Sequence, residues 1–228
     1  MERLKNISNL INTASLIIGI IIQEFLTDYI KKEKIIGDSP ISFIISVITI
    51  LIIFVIFQLI LNELVNNKNL RRMVLKDHFI EGMWIEIVFD NETNSKISIG
   101  IKNIIYRNDT FIYEGDNYSI DDFKHIGSYC SSSVSFLYPY VNYTYTYDKN
   151  DSFFKKEGIG RVKFVKRQNS FPLIHNGFFI DLELKKKYTY VAWKITDKKQ
   201  IKNIENPATF KDIVKEYILK MDTSIQVD

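Results

Sequence analysis

Residues 82–113 read GMWIEIVFDNETNSKISIGIKNIIYRNDTFIY, and the fold follows from how this stretch is punctuated. Three runs rich in β-branched and aromatic residues, 84–89, 96–106 and 110–113, are divided by polar residues that include Asp90, Asn91, Asn94 and Ser95. Val, Ile, Tyr, Phe and Trp suit a pleated, half-buried surface, whereas Asn, Asp and Ser hydrogen-bond nearby backbone and favour turns. The rhythm continues downstream, where 125–136, 140–147, 158–166, 177–184 and 188–195 read as further strands. Residues 114–117, with a Gly-Asp pair, read as a turn, and so do the adjacent Asp121 and Asp122. About eight short strands at this spacing predict an all-β antiparallel barrel, lipocalin-like in appearance, whose closure leaves no free sheet edge.

The chain before residue 63 follows a different pattern. No charged residue occurs between Ile41 and Asn62, and Ile, Leu, Val and Phe dominate. As a helix this run would cross a hydrocarbon core of roughly 30 Å. Residues 7–23 form a second uncharged run, diluted by Asn9, Asn12, Thr13 and Ser15 and closed by Glu24 and Asp28. No small-residue cleavage site follows it and a second apolar run comes soon after, so a transmembrane hairpin is expected over 1–66 rather than a signal peptide. Arg3, Lys5, Lys68, Arg71, Arg72 and Lys76 outweigh Lys31, Lys32 and Lys34 in the intervening turn, which puts both ends of the chain in the cytoplasm. A connector over 67–77 then leads to the barrel over 78–198 and to a C-terminal helix and tail over 199–228. That helix is expected over 207–221: Asn206 can cap it, Pro207 suits its first position, and Phe210, Ile213, Val214, Tyr217, Ile218 and Met221 form one amphipathic stripe.

Charge and chemistry exclude several classes of function. Thirty Lys and Arg stand against 27 Asp and Glu, a balance unlike that of a protein coating DNA or RNA. A single cysteine, Cys130, rules out an internal disulfide and a multi-cysteine zinc site. His78, His125 and His175 show no metal-ligand spacing, and no glycine loop precedes a helix to cradle phosphate. Gly158-Ile159-Gly160 lies inside a strand pattern and is expected to mark a bend or bulge. No catalytic constellation, metal or cofactor is expected.

The strands offer instead a binding surface. Tyr143, Tyr145 and Tyr147 share one face of a strand, and Arg161 and Lys163 share one face of the next. Tyrosine rings can stack on bases, and Arg presents a planar fork that fits phosphate, so Tyr143, Tyr145, Arg161 and Lys163 are the candidate residues for a nucleotide ligand. A simpler reading makes Val162 and Phe164 core and leaves both cations on the solvated wall. Two other classes of function stay open: a membrane-tethered carrier of an apolar molecule, with an aliphatic interior and no Arg or Lys in it, and a barrel with a filled interior that docks a partner protein.

The order of hairpin, connector and barrel, with Gly82-Met83-Trp84 opening the barrel and Gly158-Ile159-Gly160-Arg161-Val162 and Gly177-Phe178-Phe179-Ile180-Asp181 as later strands, resembles a known family over nearly the whole chain. This family is the two-transmembrane β-barrel effectors of bacterial cyclic-oligonucleotide anti-phage signalling (CBASS), a minimal STING-like class. The resemblance implies a non-enzymatic protein of the bacterial inner membrane. Its barrel would bind a cyclic di- or trinucleotide made by a partner nucleotidyltransferase, and the effector would assemble into homo-oligomers and disrupt the bilayer, ending in abortive infection.

Overall fold

A computed structural model describes residues 66–107, 110–149, 155–165, 170–204 and 206–224, together with isolated positions and short stretches between 13 and 63. The chain divides into two compact units, Met1–Leu75 and Lys76–Asp228. The two spans expected over 7–23 and 41–62 lie largely outside the described residues, and among those described no helix is long and apolar enough to cross a membrane. Positions that are described there are helical, and Ile17, Ile20, Ile21, Leu51, Ile52, Val55, Leu59 and Ile60 are exposed. Helix α1 (Lys68–Leu75) ends this unit.

The second unit is a closed antiparallel barrel of eight strands, each paired with its sequence neighbour and the last with the first. The strands are β1 (Gly82–Asp90), β2 (Lys96–Arg107), β3 (Thr110–Ser119), β4 (His125–Leu137), β5 (Tyr140–Lys149), β6 (Lys156–Phe164), β7 (Ile174–Asp181) and β8 (Lys186–Lys194). Two details depart from the sequence reading. Residues 114–117 continue β3 instead of turning, and the reversal comes at Ile120, Asp121 and Asp122. Gly158 and Gly160 make no bulge, since β6 pairs with β5 and β7 in unbroken register.

Those glycines serve a different purpose, repeated around the barrel. Tyr143 lies opposite Gly160, Tyr145 opposite Gly158, Tyr129 opposite Gly115 and Tyr190 opposite Gly177. In each pair a Cβ on the glycine would stand within 3.0 Å of the tyrosine side chain. Residues directly opposed across a ladder face the same side of the sheet. Each glycine is thus a bed on which a neighbouring ring lies against the inner wall, so these tyrosines present ring surface to the barrel interior. Glu86, opposite Gly100, uses the same device: the added Cβ would meet its Cγ at 2.4 Å.

One half of the barrel is packed solid. Trp84, Ile104, Phe111, Val141, Val162, Phe164 and Ala192 are buried in it together with Ile80 from the segment that precedes β1. The Trp84 indole donates to the Ile80 carbonyl at 3.1 Å, and Lys194 Nζ donates to the Phe79 carbonyl at 3.3 Å with its charge over the Phe79, Trp84 and Phe171 rings. His175 sits in this plug with neither ring nitrogen hydrogen-bonded, 4.7 Å from Trp84 and 5.1 Å from Phe164 between ring centroids.

Outside the wall, the short helix α2 (Lys198–Asn203), capped by Asp197, leads to helix α3 (Pro207–Ser224). Phe210, Ile213, Val214 and Tyr217 of α3 are buried with Ile85, Ile87, Ile99, Trp193 and Ile195, so the helix covers a flank of β1, β2 and β8. This is why residues 84–89 are apolar at every position but Glu86: β1 is buried on both faces. The Met221 side chain of the expected stripe lies outside the described ones.

Candidate functional site

The other half of the barrel is open. Its mouth lies where β1, β3, β5 and β7 finish and β2, β4, β6 and β8 begin, and inside it is a cup of about 180 Å³. Its wall is aromatic: Tyr129, Tyr143, Tyr145, Tyr147, Phe179 and Tyr188 line it, with Val88 and Ile97. Tyr145 meets Phe179 edge-on at 5.9 Å, and Phe179 stacks on Tyr188 at 5.0 Å. Beneath them Tyr143 stacks on Tyr113 at 5.4 Å with the rings 3° from parallel, and its hydroxyl is 3.2 Å from that of Tyr190.

At the bottom of the cup is a charge pair. Glu86 Oε2 is 2.6 Å from Lys102 Nζ, the two side chains being 6% and 1% exposed. The pair is close but not aligned as a hydrogen bond, so both atoms keep unused capacity. The Tyr129 hydroxyl donates to the other carboxylate oxygen, Oε1, at 3.2 Å. Lys102 also lies 4.5 Å from the Tyr190 ring centroid and 5.7 Å from that of Tyr113, so cation–π attraction helps hold it below the cup. Removing two charges from water costs several kcal/mol each, which their mutual attraction offsets only in good geometry.

Burial, first of all, pushes the hydroxyls of Tyr113, Tyr129, Tyr143 and Tyr190 far above the usual phenol range, and Tyr145 is raised for the same reason. These groups therefore stay protonated near neutrality and act as hydrogen-bond partners and stacking surfaces, not as bases. The rim is polar. Ser98, Asn117, Lys156 and Asp181 surround the opening, with Lys156 Nζ 3.8 Å from Asp181 and 3.6 Å from Glu183. The Asn117 Oδ1 is buried and has no hydrogen-bond partner.

Of the four residues picked from sequence, the fold brings Tyr143 and Tyr145 together in the cup and separates them from Arg161 and Lys163. In β6 the buried positions are Gly158, Gly160, Val162 and Phe164, while Arg161 and Lys163 point to the outside. Arg161 Nε donates to Asn142 Oδ1 at 2.8 Å on the outer wall, and its guanidinium lies 5.9 Å from the Tyr140 ring centroid. Arg161 and Tyr140 line a separate outer groove with Lys163, Phe178 and Lys187. A single cavity holding all four side chains does not form, because Tyr143 is paired with Gly160 and Arg161 with Asn142. Only a one-residue slip would turn Arg161 inward, and it would expel Val162 and Phe164 from the core.

The fold also assembles a Ser, a His and an Asp on the outer surface. Ser128 Oγ donates to Asp116 Oδ1 at 2.5 Å, and His125 Nε2 is 3.2 Å from that hydroxyl and 3.3 Å from that carboxylate. A hydrolytic relay needs the carboxylate on one imidazole nitrogen and the hydroxyl on the other. Here both contact the same nitrogen, so the cluster is a hydrogen-bonded turn brace. Among the described residues no group of three His, Cys, Asp or Glu could hold a metal ion. Comparison with protein-family models, curated proteins and solved structures finds no match to this chain.

Proposed function

We propose that this chain is a membrane-anchored ligand sensor of the cyclic-nucleotide effector type, with the tyrosine cup as its binding site. In this reading residues 7–23 and 41–62 form two transmembrane helices in the bacterial inner membrane, and the barrel faces the cytoplasm. A cyclic di- or trinucleotide from a partner nucleotidyltransferase occupies the cup, and the occupied protein forms homo-oligomers that disrupt the bilayer and abort phage infection. The chain does no chemistry on its ligand.

One observation carries the reading: the open half of the barrel is walled by ring faces laid on glycine beds above a buried polar floor. Base stacking on aromatic side chains is worth about 1–3 kcal/mol per base. A carrier of apolar molecules would need an aliphatic interior free of cations, whereas this one contains Lys102 and is aromatic. A docking module would need no cavity. Room of about 180 Å³ is close to the roughly 150 Å³ that holds one benzene, so one ring enters the cup while the sugar-phosphate macrocycle stays at the mouth beside Lys156. Exposed apolar side chains at the described helical positions below residue 63 suit a lipid surrounding. A ligand that binds the assembled state more tightly shifts the population toward it.

The test is calorimetric titration of the full chain in micelles with a panel of cyclic dinucleotides and trinucleotides and with a fatty acid. Saturable binding of at least one cyclic nucleotide is expected. Binding of the fatty acid alone would reinstate the apolar carrier.

A further inference from the structure

The cup has a chemically specific floor, and this allows the bound group to be defined beyond its being a ring. Glu86 lines the cup and is 4% exposed. A carboxylate has about four lone-pair sites. One is taken by the Tyr129 hydroxyl on Oε1, and Lys102 approaches Oε2 from below without forming an aligned hydrogen bond. Acceptor capacity remains on a carboxylate whose residue lines the cup. Beside it, the Tyr143 and Tyr190 hydroxyls share one hydrogen bond in which either can donate. When Tyr190 donates, the Tyr143 O–H is left to donate upward. The floor thus pairs an anionic acceptor with a neutral donor.

We infer that the cup reads a single six-membered nitrogen heterocycle, a pyrimidine base, through an N–H donor on its buried edge placed against the Glu86 carboxylate, with the Tyr143 hydroxyl serving the adjacent carbonyl or ring nitrogen. Lys102 acts as a positioning residue that holds the carboxylate in place from beneath. The inference rests on the nucleotide reading above and narrows it: the base enters, and the phosphates, which the floor carboxylate repels, stay at the rim. A cup of about 180 Å³ accommodates one ring with its exocyclic groups, so a fused purine is disfavoured. Removing a donor that faces a buried charged acceptor leaves that acceptor unsatisfied, which costs more than an average hydrogen bond.

The decisive probes are nucleosides matched in shape and differing in the donor: uridine against 3-methyluridine, and cytidine against N4,N4-dimethylcytidine, with adenosine and choline as comparisons. They are titrated into the full chain in micelles by ligand-observed NMR. At least one pyrimidine nucleoside should bind, its methylated counterpart should bind about tenfold more weakly or worse, and adenosine and choline should bind more weakly than the parent. The paired substitution Glu86→Gln with Lys102→Met should erase the discrimination between parent and methylated probe, and Arg161→Ala should preserve it. The wild-type comparison needs no variant and stands even if the paired substitution fails to fold. Equal binding of methylated and unmethylated probes, or tighter binding of adenosine or of choline, would overturn the inference. Cyclic nucleotides that bind without any dependence on a pyrimidine N–H would sink it while sparing the sensor reading. Pyrimidine nucleosides that bind where no cyclic nucleotide does would sustain it and remove the sensor reading.

Discussion

Replacing Gly160 by alanine separates two accounts of the glycines by the sign of its effect. In an ordinary strand interior, alanine is better than glycine by roughly 0.5–1 kcal/mol, because glycine loses more backbone freedom on folding. Here the new methyl would stand 2.3 Å from Cζ of Tyr143 and 2.5 Å from its oxygen, against a carbon contact distance of about 3.5 Å. The ring cannot recoil cheaply. It is 6% exposed, stacked on Tyr113 and hydrogen-bonded to Tyr190, so moving it disturbs both partners. Overpacking of this kind costs about 1–3 kcal/mol, which leaves a net loss of up to about 2.5 kcal/mol, centred on about 1 kcal/mol, after the backbone gain. Gly158→Ala meets the Tyr145 ring at 2.2 Å, but that ring is half-buried near the mouth and can swing into the cup, so the variant should lose less stability and more ligand affinity. Urea unfolding of the full chain in micelles, followed by near-UV circular dichroism, measures the difference. Pairing Gly160→Ala with Tyr143→Leu should cost less than the sum of the single changes. A Gly160→Ala protein as stable as the parent, or more so, would refute the ring-bed account.

Three further outcomes follow from the same structure. Lys102→Met strands the Glu86 carboxylate and should cost about 3–5 kcal/mol, while adding Glu86→Gln should recover much of it, as thermal melts of the two variants would reveal. Burial, then the nearby Lys102 charge, holds the His175 imidazole well below its ordinary range. The native protein excludes a proton that the unfolded chain takes up below about pH 6.5. This contribution is therefore complete above that pH and declines as pH falls toward the depressed native value, by up to roughly 1.4 kcal/mol per pH unit. His175→Phe should flatten that part of a stability–pH curve, and an unchanged slope would show that the imidazole is not excluded from protonation. Cys130, the single cysteine, is exposed on the barrel surface, so an impermeant maleimide should label it only after cells are permeabilised if the barrel is cytoplasmic.

The barrel was legible because its strands alternate and its turns carry Asn, Asp and Ser, and the stripe from Phe210 to Ile218 gave the C-terminal helix. What misled was glycine. Gly115 beside Asp116 looks like a turn, and Gly158-Ile159-Gly160 looks like a bend, when each glycine is an inward position emptied to receive a ring from the next strand. That emptiness also hid the parity of β6. With no side chain at 158 and 160, only the alternation of Arg161 and Lys163 with Val162 and Phe164 spoke for the cations facing outward, and the pairing of Gly160 with Tyr143 settles it. Glu86 and Lys102 did leave a trace, a lone charge inside Trp84-Ile85-Glu86-Ile87-Val88 and another inside Ile99-Gly100-Ile101-Lys102-Asn103-Ile104. Each keeps the parity of apolar inward neighbours, Trp84 and Val88 for one and Ile104 for the other. Their meeting depends on the β1–β2 register, which places Glu86 opposite Gly100 and Trp84 opposite Lys102.

Binding of a cyclic nucleotide to the parent, to Tyr145→Ala and to Arg161→Ala, measured side by side by calorimetry, tests the central claim most directly. If the ligand occupies the cup, Tyr145→Ala loses one stacking surface of about 1–3 kcal/mol and binds about tenfold more weakly or worse, while Arg161→Ala on the outer wall titrates like the parent. Loss of binding on Arg161→Ala with Tyr145→Ala unaffected would place the ligand on the outer wall and contradict the account.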